Sequence, residues 1–156
     1  MPRKSLHSKV IDRDALRRHF LEIEQEADMK LRTHRQIDET LCGRVTRLEE
    51  NEAELWLHTR ESMVADDLGL IHGGFLFGAA DYAAMAAVND PYVVLGAAET
   101  RFLAPVRKGQ SVRFIARVVE EKGKKRSVEV RGSVEGSEVF WGRFTCFVLE
   151  RHVLER

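Results

Sequence analysis

The sequence predicts an α+β fold in which a sheet wraps one long buried helix, with a further helix ahead of it. Three observations carry this. Residues from Gly73 to about Asn89 are apolar on nearly every face, as in a helix covered all round rather than along one stripe. Strand-like runs with turn residues between them flank that helix, two before it and four after. A sheet that must cover a helix apolar all round has to wrap it.

Taken in order, residues 1–10 are basic and lack a hydrophobic period, which predicts a frayed end. From about Asp12 to Gln36 the pattern is helical. Leu16, Phe20, Ile23, Ala27 and Leu31 recur at helical spacing, and Asp12 or Asp14 is the candidate cap. This is read as a helix packed outside the domain, or as a linker to a partner. Arg3, Lys4, Lys9, Arg13, Arg17 and Arg18 make its start basic, but a stretch holding one helix is too short for a winged DNA-binding head with a linker. The chain therefore divides into an arm, 1–36, and a domain, 37–156. Val45 and Leu48, then Leu55 and Leu57 around Trp56, predict two strands turning near Glu50-Asn51-Glu52. The central helix follows, closed by Asp90-Pro91, because a residue before proline disfavours helical geometry. Strands are predicted near 92–104, 110–121, 125–135 and 138–149, with turns at Gly109, Lys122-Gly123 and Glu135-Gly136-Ser137.

Composition narrows the function classes. The 156 residues suit one domain with a real core, and 44% apolar content argues against disorder. Lys plus Arg and Asp plus Glu both number 25, a net charge of zero, so no nucleic-acid partner is expected. Cys42 and Cys146 stand apart with no CxxC, which predicts reduced thiols in a cytoplasmic protein. No leader-like or membrane-spanning apolar run is visible. The six histidines have no metal-ligand spacing, so no metal is expected.

The segment Gly69 to Ala84 carries the chemistry. A glycine turn opens the helix, and Asp81 is the single carboxylate inside its apolar run. Burying an unpaired carboxylate is costly, and such a cost is characteristic of a working site. Gly73 and Gly74 leave the helix-start amides bare, where the macrodipole favours negative charge.

The string His72-Gly73-Gly74-x-Leu76-Phe77-x-x-Ala80-Asp81-x-Ala83 resembles the signature of hotdog-fold acyl-CoA thioesterases of the phenylacetate-degradation type. Arg101-Phe102-Leu103-Ala104-Pro105-Val106-Arg107-Lys108-Gly109 is similar to that family's strand-and-turn segment, and the likeness covers roughly residues 40–150. The resemblance implies a curved antiparallel sheet around one central helix, hydrolysis of acyl-CoA or acyl-carrier thioesters, and homodimers or dimers of dimers with sites at the interface. It implies no cofactor beyond the coenzyme A of the substrate, and no membrane partner. Gly73 and Asp81 are eight residues apart, about 12 Å along a helix. One thioester carbonyl cannot lie near 3 Å from both, so Asp81 must come from a second subunit. The Gly73 or Gly74 amide would then polarise the thioester oxygen, and Asp81 would act as general base or nucleophile. Asp66 stands where many relatives carry Asn, and either Asp66 or Asp67 also suits a cap on the turn before Gly69. His72 is read first as ordering the helix start. Arg101, Arg107, Lys108, Lys122, Lys124, Lys125 and Arg126 are candidate phosphate contacts, and Phe75, Leu76, Ala79 and Ala80 candidate acyl-pocket lining. The strands from 95 to 149 also resemble the malonyl-CoA-sensing domain of the bacterial fatty-acid biosynthesis repressor. This leaves a non-hydrolysing acyl-CoA binding module as the alternative, although Asp81 is an acid that the sensor lacks.

Overall fold

A computed structural model describes residues 12–15, 17–18 and 29–155. Its elements run α1 (Glu39–Cys42), β1 (Arg44–Glu49), β2 (Glu52–His58), a 3₁₀ turn (Glu61–Met63), α2 (Gly73–Val88), β3 (Val93–Phe102), β4 (Ser111–Lys122), β5 (Lys125–Val134) and β6 (Ser137–Val148). The six strands form one antiparallel sheet in the order β1-β2-β4-β5-β6-β3, and α2 packs against its inner face. This is the hotdog fold, and the elements from 44 to 148 fall where the sequence pattern places them.

Alternation sets the register. Ala53, Leu55 and Leu57 pair with Ala116, Phe114 and Val112 on the inner face, all buried. Between them, Glu54 and Trp56 pair outward with Ile115 and Arg113. The same alternation puts Val128 opposite Phe144 and Val130 opposite Gly142 inside, with Glu129 opposite Arg143 and Arg131 opposite Trp141 outside. A slip of one residue would send each inner residue to solvent, so burial fixes the pairing. Gly142 is glycine for a packing reason: a Cβ there would lie 2.5 Å from the Phe144 ring. The β5–β6 hairpin turns on Glu135 and Gly136, both at positive φ (49° and 83°), the two-residue geometry that matches strand twist.

On α2, Leu76, Ala79, Ala80 and every residue from Tyr82 to Ala87 are buried. Alanine is the best helix former and keeps the helix axis close to the sheet. The helix ends one residue before Asp90-Pro91, where Asn89 adopts a left-handed conformation (φ 52°) and its N–H donates to the Met85 carbonyl.

The helix expected through Gln36 is corrected over its last part: residues 29–36 are not helical. Residues 29–32 form a strap whose backbone groups find tertiary partners, and a turn follows in which His34 takes positive φ (53°) and its carbonyl accepts from the Ile37 N–H. Asn89 Oδ1 accepts from the Arg32 N–H (2.7 Å), and Asn89 Nδ2 donates to the Lys30 carbonyl (2.9 Å). The Met29 N–H donates to the Leu48 carbonyl, and Leu31 packs against the core. A strap satisfied in this way gains nothing from helical hydrogen bonds. Leu16, Phe20, Ile23 and Ala27 lie outside the described residues. Within them, residues 13–15 and 17–18 are helical, and Asp12 Oδ1 accepts from the Asp14 and Ala15 amides as the cap. No helix among the described residues is long and apolar enough to cross a membrane.

Candidate functional site

The start of α2 is held by a loop stitched at both edges. The Ile71 N–H donates to the Val106 carbonyl, the Lys108 N–H to the Gly69 carbonyl, and the His72 N–H to the Met63 carbonyl. Asp66 Oδ1 accepts from the Leu68 and Leu70 amides (3.0 and 3.1 Å), closing the turn that Gly69 makes at φ 82°. Asp66 thus organises the loop with one oxygen and is exposed to solvent. His72 is the helix cap: its Nδ1 accepts from the Gly74 N–H (2.9 Å), which requires that nitrogen to carry no proton.

The two glycine amides are thereby distinguished. Gly74 has given its N–H to His72, whereas the Gly73 N–H has no acceptor among the described residues. Gly73 borders a cleft of about 350 Å³, walled by Leu70, Ile71, Leu76, Phe102 and the 103–106 segment. A Cβ on Gly73 would come within 3.0 Å of the Phe102 ring. The site therefore offers a free donor at the positive end of a helix, facing an apolar space.

Asp81 sits two turns further along the same continuous helix. Its Oδ1 is buried without a hydrogen-bond partner, and no cation among the described residues pairs with it. Burial pushes its carboxyl up to about 6. Nearby, burial and the Asp81 charge push the Cys146 thiol up to about 12. Burial, Asp38 and Asp81 likewise raise the half-buried Cys42, and both cysteines are free. With eight residues between them, Asp81 and Gly73 are separated by about 12 Å within one chain.

The remaining candidates scatter. Of the four lining residues, Leu76 borders the cleft, Phe75 is half-buried edge-on to His72, and Ala79 and Ala80 are fully buried in the core of the chain. Several cations are already partnered. Lys108 pairs with Glu61 (2.6 Å), Lys124 with Glu150 (3.3 Å) and Arg126 with Glu121 (2.9 Å). Arg101 meets Glu99 only at 3.8 Å and lies over the Trp141 ring at 5.7 Å. Arg107 forms a backbone bridge with Leu70 beside the cleft. Lys122, Lys124, Lys125 and Arg126 sit at the β4–β5 hairpin, which register places beside Phe147 and Val94, at the other end of β3 from Phe102. They are therefore far from the Gly73 of their own chain.

Two features escape sequence reasoning. One is the Asn89 clamp on the strap. The other is β3 itself, an outer strand of the sheet that exposes Gly96, Ala97, Ala98 and Glu99. Such an edge carries a row of unpaired backbone groups that another chain can take up.

A curled sheet around one helix, opened by two glycines and carrying a lone acid two turns on, is the architecture of a hotdog protein. The family model of the thioesterase superfamily matches residues 68–140 of the chain. The chain is similar to an uncharacterized protein from Pyrococcus horikoshii (47% identity, 81% of this chain and 98% of that one, TM-score 0.81). It is also similar to a variant of the phenylacetic acid degradation protein PaaI from Thermus thermophilus (28% identity, 71% and 96%, TM-score 0.66). Among curated proteins it is 49% identical over 123 residues to a methylthioribose-1-phosphate isomerase of Aquifex aeolicus, and 28% identical over 96 residues to the transcription factor FapR of Caldanaerobacter subterraneus. Those matches take in 78% and 62% of this chain. The chain spans 27% of the first relative's length and 48% of the second's.

Proposed function

We propose that this protein hydrolyses acyl-CoA thioesters at a site assembled from two copies of the chain. The observation that carries the reading is Asp81: a half-buried acid with an unpartnered oxygen, raised by burial toward neutral pH, on the same helix as a free Gly73 amide it cannot reach. A second copy pairing along β3 would satisfy the open edge and bring the two α2 helices side by side. The Gly73 N–H of one protomer then polarises the thioester carbonyl, and the partner copy's acid at position 81 activates water or attacks the carbon. A carboxyl near 6 is ionised at cytoplasmic pH yet basic enough to take a proton.

A hydrolysis panel from acetyl to palmitoyl and aryl thioesters tests the reading. Asp81→Asn is expected to lower kcat about 10²–10⁴-fold on every substrate that wild type cleaves. Mixing inactive Asp81→Asn with inactive Gly73→Pro is expected to restore about a quarter of wild-type activity, because half the dimers then hold one intact site of two. A mixture as inert as its parents overturns the shared site. The FapR similarity supports the second reading, a module that binds acyl-CoA without turnover. Tight binding of the panel with no thiol release would select it.

A further inference from the structure

We propose that the strap, the turn after it and the C-terminal segment form an anion site that takes a phosphate dianion, free or as a phosphomonoester. It lies at the far end of α2 from the Gly73 cleft, and it stands whether or not the protein hydrolyses thioesters.

Three observations carry it. The first is a cleft of about 380 Å³ where the strap meets the end of α2. Arg32, His34, Arg35 and His152 line it with Pro91 and Val93, and no carboxylate among the described residues does. Its volume is that of a small-molecule site.

The second is the state of the two guanidiniums. Every arginine in the six strands has a carboxylate oxygen within 4.0 Å, from Arg113 and Glu54 at 2.6 Å to Arg44 and Glu39 at 3.9 Å. Arg32 and Arg35 have none among the described residues, and both are exposed. The span from Met29 to Ile37 holds Lys30, Arg32 and Arg35 and no acid, in a chain of zero net charge. Asp38, Asp90 and Glu150 are the acids closest to the cleft residues in sequence among those described, and each is engaged elsewhere. Asp38 Oδ1 accepts from the Thr40 N–H (2.9 Å), Asp90 Oδ1 accepts from the Tyr92 N–H (2.8 Å), and Glu150 pairs with Lys124 (3.3 Å). Each guanidinium is therefore an open fork of donors, which matches two oxygens of a phosphate. Two such forks balance a dianion, whereas one carboxylate would leave a fork unmatched.

The third is preorganisation. Asn89 Oδ1 holds the Arg32 N–H (2.7 Å), so the backbone under the cation is fixed. His34 stands at positive φ (53°), with Nδ1 bonded to the buried Thr33 Oγ1 (2.7 Å) and its ring stacked on Tyr82 at 6.1 Å. His152 Nδ1 accepts from the Leu154 N–H (3.1 Å), which leaves Nε2 as a further donor. Donors already held in place lose little freedom when they grip an ion. The 16 residues of α2 put about 24 Å between this cleft and the Gly73 amide of the same chain.

Calorimetric titration of the full chain with inorganic phosphate, in about 0.15 M salt to screen weak surface attraction, tests the site. Saturable one-to-one uptake is expected, with Tm raised by about 5–10 °C at a hundredfold excess over Kd. Arg32→Gln and Arg35→Gln, both at exposed positions, are each expected to weaken uptake about tenfold or more, with Tm unchanged when phosphate is absent. Arg143→Gln, on the sheet, is expected to leave uptake as it is. Glycerol phosphate binding as tightly as inorganic phosphate supports a site for the dianion itself. Tighter binding of phenyl phosphate supports a monoester whose organic group rests on Pro91 and Val93. Absence of saturable uptake for all three ligands overturns the site. So does acetate binding equally well, or phosphate uptake that survives loss of both arginines. CoA displacing phosphate through the same two arginines would make the cleft part of a substrate path and overturn it as a separate site.

Discussion

The last turn of α2 is finished by its own chain, whereas the first turn is left open. At the C-terminal end, Asn89 takes the left-handed conformation, returns its N–H to Met85, and uses both ends of its side chain to hold the strap at Lys30 and Arg32. At the N-terminal end, His72 caps only Gly74, and the Gly73 N–H faces an apolar cleft. A chain that closes one end of its central helix so completely has the means to close the other. The unfilled donor at Gly73, like the unpartnered oxygen of Asp81, is where a second molecule has something to supply.

The contrast can be broken at either end, and the largest effects belong to the open one. Gly73→Pro keeps a residue suited to the first helical position but removes the N–H. Its expected cost is about 10²–10³ in kcat, read by thiol release, with secondary structure retained by circular dichroism. The closed end should answer in stability instead. Asn89→Ala loses both strap bonds and puts at positive φ a residue without asparagine's tolerance of the left-handed region, so about 2–3 kcal/mol of unfolding free energy is expected to go, with kcat per folded molecule unchanged. Asn89→Gly keeps the backbone geometry and should lose less. An Asn89 variant that loses activity while fully folded would erase the distinction between the two ends.

Acidity sharpens the comparison. Burial holds Asp81 at about 6 in the folded protein, above its ordinary 3.8, so the native state binds that proton more tightly than the unfolded one. The stability this contributes is complete below about pH 3.8 and is lost as pH rises through 6. Asp81→Asn should therefore be more stable than wild type at pH 7, by about 1 kcal/mol given its partial exposure, and should lose that advantage on acidification. The rate should move the opposite way, with kcat/KM falling as pH drops through about 6. The neighbouring thiols of Cys42 and Cys146, both shifted upward, stay neutral across this window. The smallest expected effect is at the cap: His72→Ala frees the Gly74 amide and should cost about 1 kcal/mol, measured by denaturant unfolding.

Much of this organisation is legible in the sequence because it is periodic or local. Strand alternation from Val45 to Val148 and the all-round apolar run of α2 report burial directly, and they place the elements correctly. The strap is not legible. Leu31 continues a helical spacing begun at Leu16, and nothing local indicates that Asn89, fifty-seven residues beyond Arg32, will bind the backbone there. Ala79 and Ala80 are equally silent, because small residues on a helix make room for a ligand or for a closely packed sheet, and the spacing does not say which; within the chain both are fully buried.

The sequence alone determined that a carboxylate would stand inside an apolar helix eight residues beyond a pair of glycines, because helical rise turns spacing into distance without reference to anything else. Only the tertiary structure decided which glycine amide is free, that Asp66 and several of the cations are occupied within the chain, and that β3 lies at the edge of the sheet. Those outcomes depend on which groups meet across long stretches of chain. Hydrogen bonding and charge pairing are settled between partners brought together by folding, and their spacing in sequence does not record them.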